Sequence, residues 1–165
     1  MKIGILTLPL HTNYGGILQA WALQTVLKNM GHEVELLTIE KKNKSFFSQL
    51  YLFAKSFAAF LIKRNKWSKI YWPLNTRNDN VKNRAKTLSF ISRYIDKSKP
   101  LHDIIEIKNY IKTRQFECYI VGSDQVWRPG YGSRIENFFL DFLGESAVKR
   151  IAFAASFGTD KWEFT

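Results

Sequence analysis

The chain is expected to be α/β, with a Rossmann-like, mostly parallel sheet and flanking helices. Three observations carry this. Residues 2–7 (Lys-Ile-Gly-Ile-Leu-Thr) form an apolar run of strand length. Behind it, Ala20, Leu23, Leu27 and Met30 recur at helical spacing, and Gly31 stands where such a helix would end. Residues 33–39 (Glu-Val-Glu-Leu-Leu-Thr-Ile) then return to a strand pattern. Strand, helix and strand make a βαβ unit, which implies parallel strands and a right-handed crossover.

The remaining elements follow in order. Residues 41–44 are a polar turn. Within 45–63, Phe46, Phe47, Leu50, Tyr51, Ala54, Phe57, Ala58, Leu61 and Ile62 repeat at helical spacing. Leu52, Phe53 and Phe60 widen that stripe, while Gln49, Lys55 and the serines interrupt it too often for a membrane span. Two readings stand for this helix: buried or covered by a partner, or lying on a membrane between flanking Lys and Arg. Residues 64–78 look irregular. Residues 81–95 read as a helix with Leu88, Ile91 and Ile95 on one side, and 101–114 as another with Ile104, Ile105, Ile107 and Ile111 apolar. Residues 116–121 form a strand running into Gly122, 138–142 are short and apolar, and 150–155 form the last strand. Asp160 to Glu163 has the form of a capping box. A helix starting there makes residues 1–165 read as the N-terminal Rossmann-like domain of a longer protein.

Composition narrows the class. A chain of 165 residues with 45% apolar content and a mean hydropathy of -0.23 fits one globular domain with a real core. One cysteine excludes an internal disulfide framework and suits a reducing compartment. With no secretory signal evident, a cytoplasmic location is expected, at the inner face of the membrane if the basic surface finds anionic lipid. The formal charge is +11, and acids are absent from Lys41 to Asn78. Such a surface suits phosphorylated ligands, an anionic membrane or nucleic acid, or is simply a solvated basic face. Nucleic acid is disfavoured, because the aromatics lie in apolar patterns rather than interleaved along a basic strand surface.

Three loops attract attention because each follows a strand, and ligands of open α/β sheets bind beyond the carboxyl ends of strands. The first runs from His11 to Gln19. Asn13 and Gln19 can hydrogen-bond sugar hydroxyls or phosphate oxygens, and Tyr14 can stack on a sugar ring. Gly15 and Gly16 let the backbone approach a ligand or serve turn geometry. His11 is a candidate acid/base group. The spacing is not that of a dinucleotide-binding loop. The second loop holds Gly122, Ser123, Asp124 and Gln125, where hydroxyl, carboxylate and amide on consecutive positions suit polyol recognition. Asp124 is a candidate base for a sugar hydroxyl. The structural alternative has Asp124 capping a helix and Trp127 packing into the core. The third holds Ser156 and Gly158, where a hydroxyl and backbone N–H groups suit phosphate, or where a helix begins. If the three strands are parallel neighbours, these loops gather on one edge. His32 and His102 are expected on the surface, and Cys118 buried and inert. No spacing suggests a metal site.

Three stretches carry a family resemblance: the M-K-I-G-I-L strand with N-Y-G-G-x-L-Q-A from Asn13 to Ala20, G-S-D-Q-V-W from Gly122 to Trp127, and residues 149–158. In this order they resemble polysaccharide pyruvyl transferases over nearly the whole chain. That resemblance implies the N-terminal lobe of a GT-B-like two-lobe enzyme. It implies transfer of the enolpyruvyl group of phosphoenolpyruvate to a sugar of a cell-surface polysaccharide or its precursor, forming a pyruvate ketal. Phosphoenolpyruvate is then the donor substrate, no cofactor is needed, and the acceptor is a sugar or lipid-linked saccharide. The donor site is implied to lie mostly on the other lobe, so the present lobe alone would be inactive and its bare surfaces would invite homo-oligomers. A GT-B-like glycosyltransferase using a sugar nucleotide, and a non-catalytic basic binding module, are the competing readings.

Overall fold

The computed structural model describes residues 1–10, 13–40, 46–63, 81–131, 134–161 and 163. The first βαβ unit consists of β1 (Lys2–Leu6), α1 (Tyr14–Asn29) and β2 (Glu33–Leu36). Asn13 caps α1 by accepting the Gly16 N–H at 3.2 Å. At the other end Gly31 adopts φ +85, the left-handed conformation that ends helices cheaply only for glycine. α1 begins at Tyr14, so Gly15 and Gly16 belong to its first turn and not to the preceding loop. Neither has a positive φ, and a Cβ on either would press against the Asn13 side chain at 3.3 Å.

The chain divides into two compact units, residues 42–84 and the remainder. The smaller holds α2 (Phe46–Lys63) and the beginning of α3 (Val81–Tyr94). In the larger, the rest of α3 leads to α4 (Ile104–Arg114), β3 (Cys118–Asp124), α5 (Ile135–Phe138), a 3-10 turn at Asp141–Leu143, and β4 (Lys149–Ala155). The sheet order is β2-β1-β3-β4, and every pair is parallel. This is the expected Rossmann-like arrangement.

Alternation along the strands sorts the core into two layers. Ile3, Ile5, Val34, Cys118 and Ile120 face Leu23 and Leu27 of α1. Beside them Ile17 and Ala20 meet Leu36, Ile91 of α3 and Ile95 just past its end. The opposite face carries Leu6, Leu37, Tyr119 and Val121 against Ile107, Phe138 and Phe142. Tyr119 lies over Gly4, where a Cβ would come within 3.2 Å of its ring. Burial pushes its phenol up to about 12.

One feature of the sheet edge is absent from the sequence pattern. Residues 96–101 run parallel to the end of β2, with bridges from Leu36 to Lys97 and from Ile39 to Leu101. Gln24 of α1, 1% exposed, secures this segment. Its Nε2 donates to the Asp96 carbonyl at 2.7 Å, and its Oε1 accepts the Asp96 N–H at 2.9 Å. On the other face Glu35 accepts from Tyr110 Oη at 2.6 Å and from Arg114 Nε at 2.8 Å. Burial and the Glu35 hydrogen bond hold the Tyr110 phenol at about 12.

Candidate active site

β1, β3 and β4 are parallel neighbours, so the loops beyond their carboxyl ends share one edge of the sheet. The β3 end is shaped by glycine. Gly122 is buried at φ +123, and a Cβ there would overlap the Phe153 carbonyl of β4. Only a residue without a side chain lets β3 and β4 run this close. Asp124 follows at φ 77, in the left-handed region. Its carbonyl accepts the Val126 N–H at 2.9 Å and the Ser156 N–H at 3.0 Å. Among the described residues no hydrogen bond or ion pair engages its half-buried carboxylate.

The loops are tied to one another. Ser123 Oγ donates to Gln19 Oε1 of α1 at 3.1 Å, linking the end of β3 to the first helix. The Trp127 N–H donates to the Ser156 carbonyl at 3.2 Å, linking those of β3 and β4. The Gln125 side chain lies over Gly158, which has φ +67 and no room for a Cβ. Trp127 packs against the core, donates from Nε1 to the Phe138 carbonyl at 3.1 Å, and stacks on Phe139.

The expected roles divide accordingly. Asn13 is occupied as the α1 cap, while Tyr14, 62% exposed, and Gln19 face solvent in the first turns of the helix. Ser123 and Asp124 come together at the β3 end, and Ser156 is exposed beside them through its backbone bond to Asp124. Gln125 accepts from Arg128 at 3.1 Å, which makes it part of the loop's framework. His11 lies outside the described residues. One expectation is corrected. No helix begins at Ser156: residues 158–161 form bends, the Lys161 N–H donates to Thr159 Oγ1, and the Glu163 carboxylate turns to Arg128 instead of closing a capping box. His32 and His102 are half-buried, each keeping part of its surface in solvent, and His102 lies 3.3 Å from the Glu40 carbonyl.

Sequence reasoning missed Arg128. Its Nε and Nη2 bind both Glu163 oxygens at 2.9 and 2.8 Å, its Nη1 reaches Tyr131 Oη at 3.1 Å, and its guanidinium lies 4.9 Å from the Tyr131 ring centre. The hydrogen bond from Arg128 holds the Glu163 carboxyl below its ordinary value. The only signal was a cation directly after the motif. A pocket of about 240 Å³ opens beside the start of α4, lined by His102, Asp103, Arg134, Glu136 and Asp141 among others, and includes none of the nominated residues. Among the described residues no group of three or more His, Cys, Asp or Glu is placed to hold a metal.

A four-stranded, all-parallel sheet with flanking helices is a Rossmann-like α/β domain, and its carboxyl edge carries the hydroxyl of Ser123 and the carboxylate of Asp124. The chain belongs to the polysaccharide pyruvyl transferase family, whose model matches residues 13–164. No curated protein matches it significantly.

Proposed function

We propose that the protein transfers the enolpyruvyl group of phosphoenolpyruvate to a saccharide diol, forming a cyclic pyruvate ketal and releasing phosphate. In this reading the domain supplies the acceptor-side wall of a GT-B-like cleft. Asp124 takes the proton of the attacking sugar hydroxyl, Ser123 and Gln19 orient the ring, and Tyr14 stacks on its apolar face. The donor's methylene carbon gains a proton and becomes the methyl of the ketal. A second sugar hydroxyl then displaces phosphate, which leaves with that hydroxyl's proton, while the proton Asp124 takes balances the one the methylene carbon gains. The observation that carries the assignment is the Asp124 carboxylate. It stands at the end of β3, unengaged among the described residues, beside a serine hydroxyl and a second serine held through its own backbone.

The test couples binding with turnover. Calorimetric titration of the two-lobe protein that this reading requires should show binding of phosphoenolpyruvate but not of a sugar nucleotide. With an acceptor present, phosphate should be released and the saccharide should gain one carboxyethylidene group. Asp124→Asn should lower kcat by about 100-fold or more with folding intact. Unchanged turnover in this variant defeats the role of Asp124. Sugar-nucleotide binding without phosphoenolpyruvate binding replaces the reaction with glycosyl transfer.

A further inference from the structure

The net charge of the chain is concentrated in one place. The unit of residues 42–84 contains ten Lys and Arg and a single acid, Asp79. It therefore carries +9 of the chain's +11, and the unit that bears the sheet and its loops is nearly neutral. None of the roles assigned above to Asp124, Ser123, Gln19 and Tyr14 draws on this charge.

The same unit holds α2, which is apolar on its exposed arc as well as on its half-buried one. Leu52, Phe53 and Ser56 are half-buried and share one arc of the helix. The other arc carries Leu50, Tyr51, Ala54 and Phe57, all exposed, with Leu50 at 49% and Tyr51 at 64%. A helix packed on a soluble core keeps its apolar arc inward and its polar arc in water. Here an exposed arc is apolar, and Lys55 borders it beside Tyr51. Eighteen residues span roughly 27 Å along the axis, yet no described helix is long and apolar enough to cross a membrane.

An apolar arc in a strongly cationic setting matches one surface in both respects: an anionic bilayer, with acyl chains just below negatively charged headgroups. We propose that α2 lies in the plane of an anionic membrane, with Leu50, Tyr51 and Phe57 entering the headgroup boundary, Lys55 reaching back to lipid phosphate, and the net positive charge of residues 42–84 supplying the attraction. Folded nucleic acid would satisfy the charge and leave the apolar arc in water. A neutral protein groove would do the reverse. This inference does not depend on the reaction assigned above.

The test is co-sedimentation of the whole protein with vesicles of phosphatidylcholine, alone or mixed with phosphatidylglycerol. Binding is expected to the mixed vesicles only and to weaken steeply with added salt. Leu50→Glu with Tyr51→Glu should weaken it about tenfold or more, and Lys55→Glu by a few fold. Circular dichroism and thermal melting confirm that the variants fold. Salt dependence is read on the unaltered protein, so it stands even if a variant does not fold. Equal binding to neutral vesicles, no binding to either, or binding unaffected by the double substitution overturns the proposal. So does preferential binding to RNA, or a dimer that the double substitution dissociates without any vesicle binding.

Discussion

Gln24 offers a sharp test of how this fold is held together, because one side chain satisfies both backbone groups of a residue 72 positions away. Gln24→Leu keeps the volume and the apolar contacts but removes the amide. The Asp96 carbonyl retains the Leu36 N–H at 2.9 Å, whereas the Asp96 N–H loses its partner. One orphaned donor costs about 1–3 kcal/mol, so about 2 kcal/mol is expected, or a drop of roughly 4–8 °C in Tm for a domain of this size. Gln24→Glu is more informative. Its ionised carboxylate still accepts from the Asp96 N–H but places a negative oxygen against the Asp96 carbonyl, near the Asp96 carboxylate that pairs with Lys28. A protonated glutamic acid donates there as the amide did. Burial and the Asp96 carbonyl, opposed by Lys28 Nζ, which lies 3.4 Å from the Gln24 Oε1 position, raise the pKa of this carboxyl. Its contribution is present below the ordinary value of about 4.3 and is lost as pH rises through the folded value. Thermal melts of the three proteins between acid and neutral pH decide the matter. Gln24→Glu should be the least stable at neutral pH and approach the parent in acid. A Gln24→Leu protein as stable as the parent, or a Gln24→Glu deficit that does not change with pH, refutes the argument.

Two further outcomes follow from the structure. Gly122→Ala should destabilise by about 3 kcal/mol or more, since its φ of +123 disfavours any side chain and the new methyl meets the Phe153 carbonyl; a denaturant midpoint unchanged from the parent contradicts this close approach. Tyr110 and Tyr119 should ionise only near pH 12, so phenolate absorbance of the folded protein should rise late for two of its seven tyrosines, with Tyr110→Phe removing one of them. Both phenols are raised, so their contribution to stability is intact below about pH 10 and is lost as the pH climbs to 12. A single ionisation of all tyrosines near pH 10 in the folded state excludes the buried placements.

The central strands were legible because β1 and β3 are buried on both faces, and apolar runs such as Ile3–Leu6 and Cys118–Val121 then announce themselves, whereas β4 is exposed along most of its length. The common edge of the three loops followed from parallel pairing alone. The strand-like segment at residues 96–101 was not legible. It is a polar stretch, Asp-Lys-Ser-Lys-Pro, closed by Leu101, and it is ordered by Gln24 and by β2, partners remote in sequence. Capping boxes show the limit of local patterns. Asp160 and Glu163 have the right spacing but form none, because Arg128 captures the glutamate. Asp103 and Glu106, with the same spacing, do start α4: Asp103 accepts the Ile105 and Glu106 N–H groups, and Glu106 reaches back to the His102 N–H. Only tertiary context separates the two. The same limit hid Arg128, whose role depends on a glutamate 35 residues downstream.

The mutual backbone bonds between the β3 and β4 loops also constrain how the protein can be re-engineered. Asp124 and Trp127 of one loop each hold a backbone group of Ser156 in the other, and Gln125 occupies the space that Gly158 vacates. Replacing either loop alone with a foreign sequence would strand a donor and an acceptor in its neighbour and invite a clash at position 158. A graft intended to change the acceptor must carry both loops together, with Gln125 and Gly158 treated as a single inherited pair.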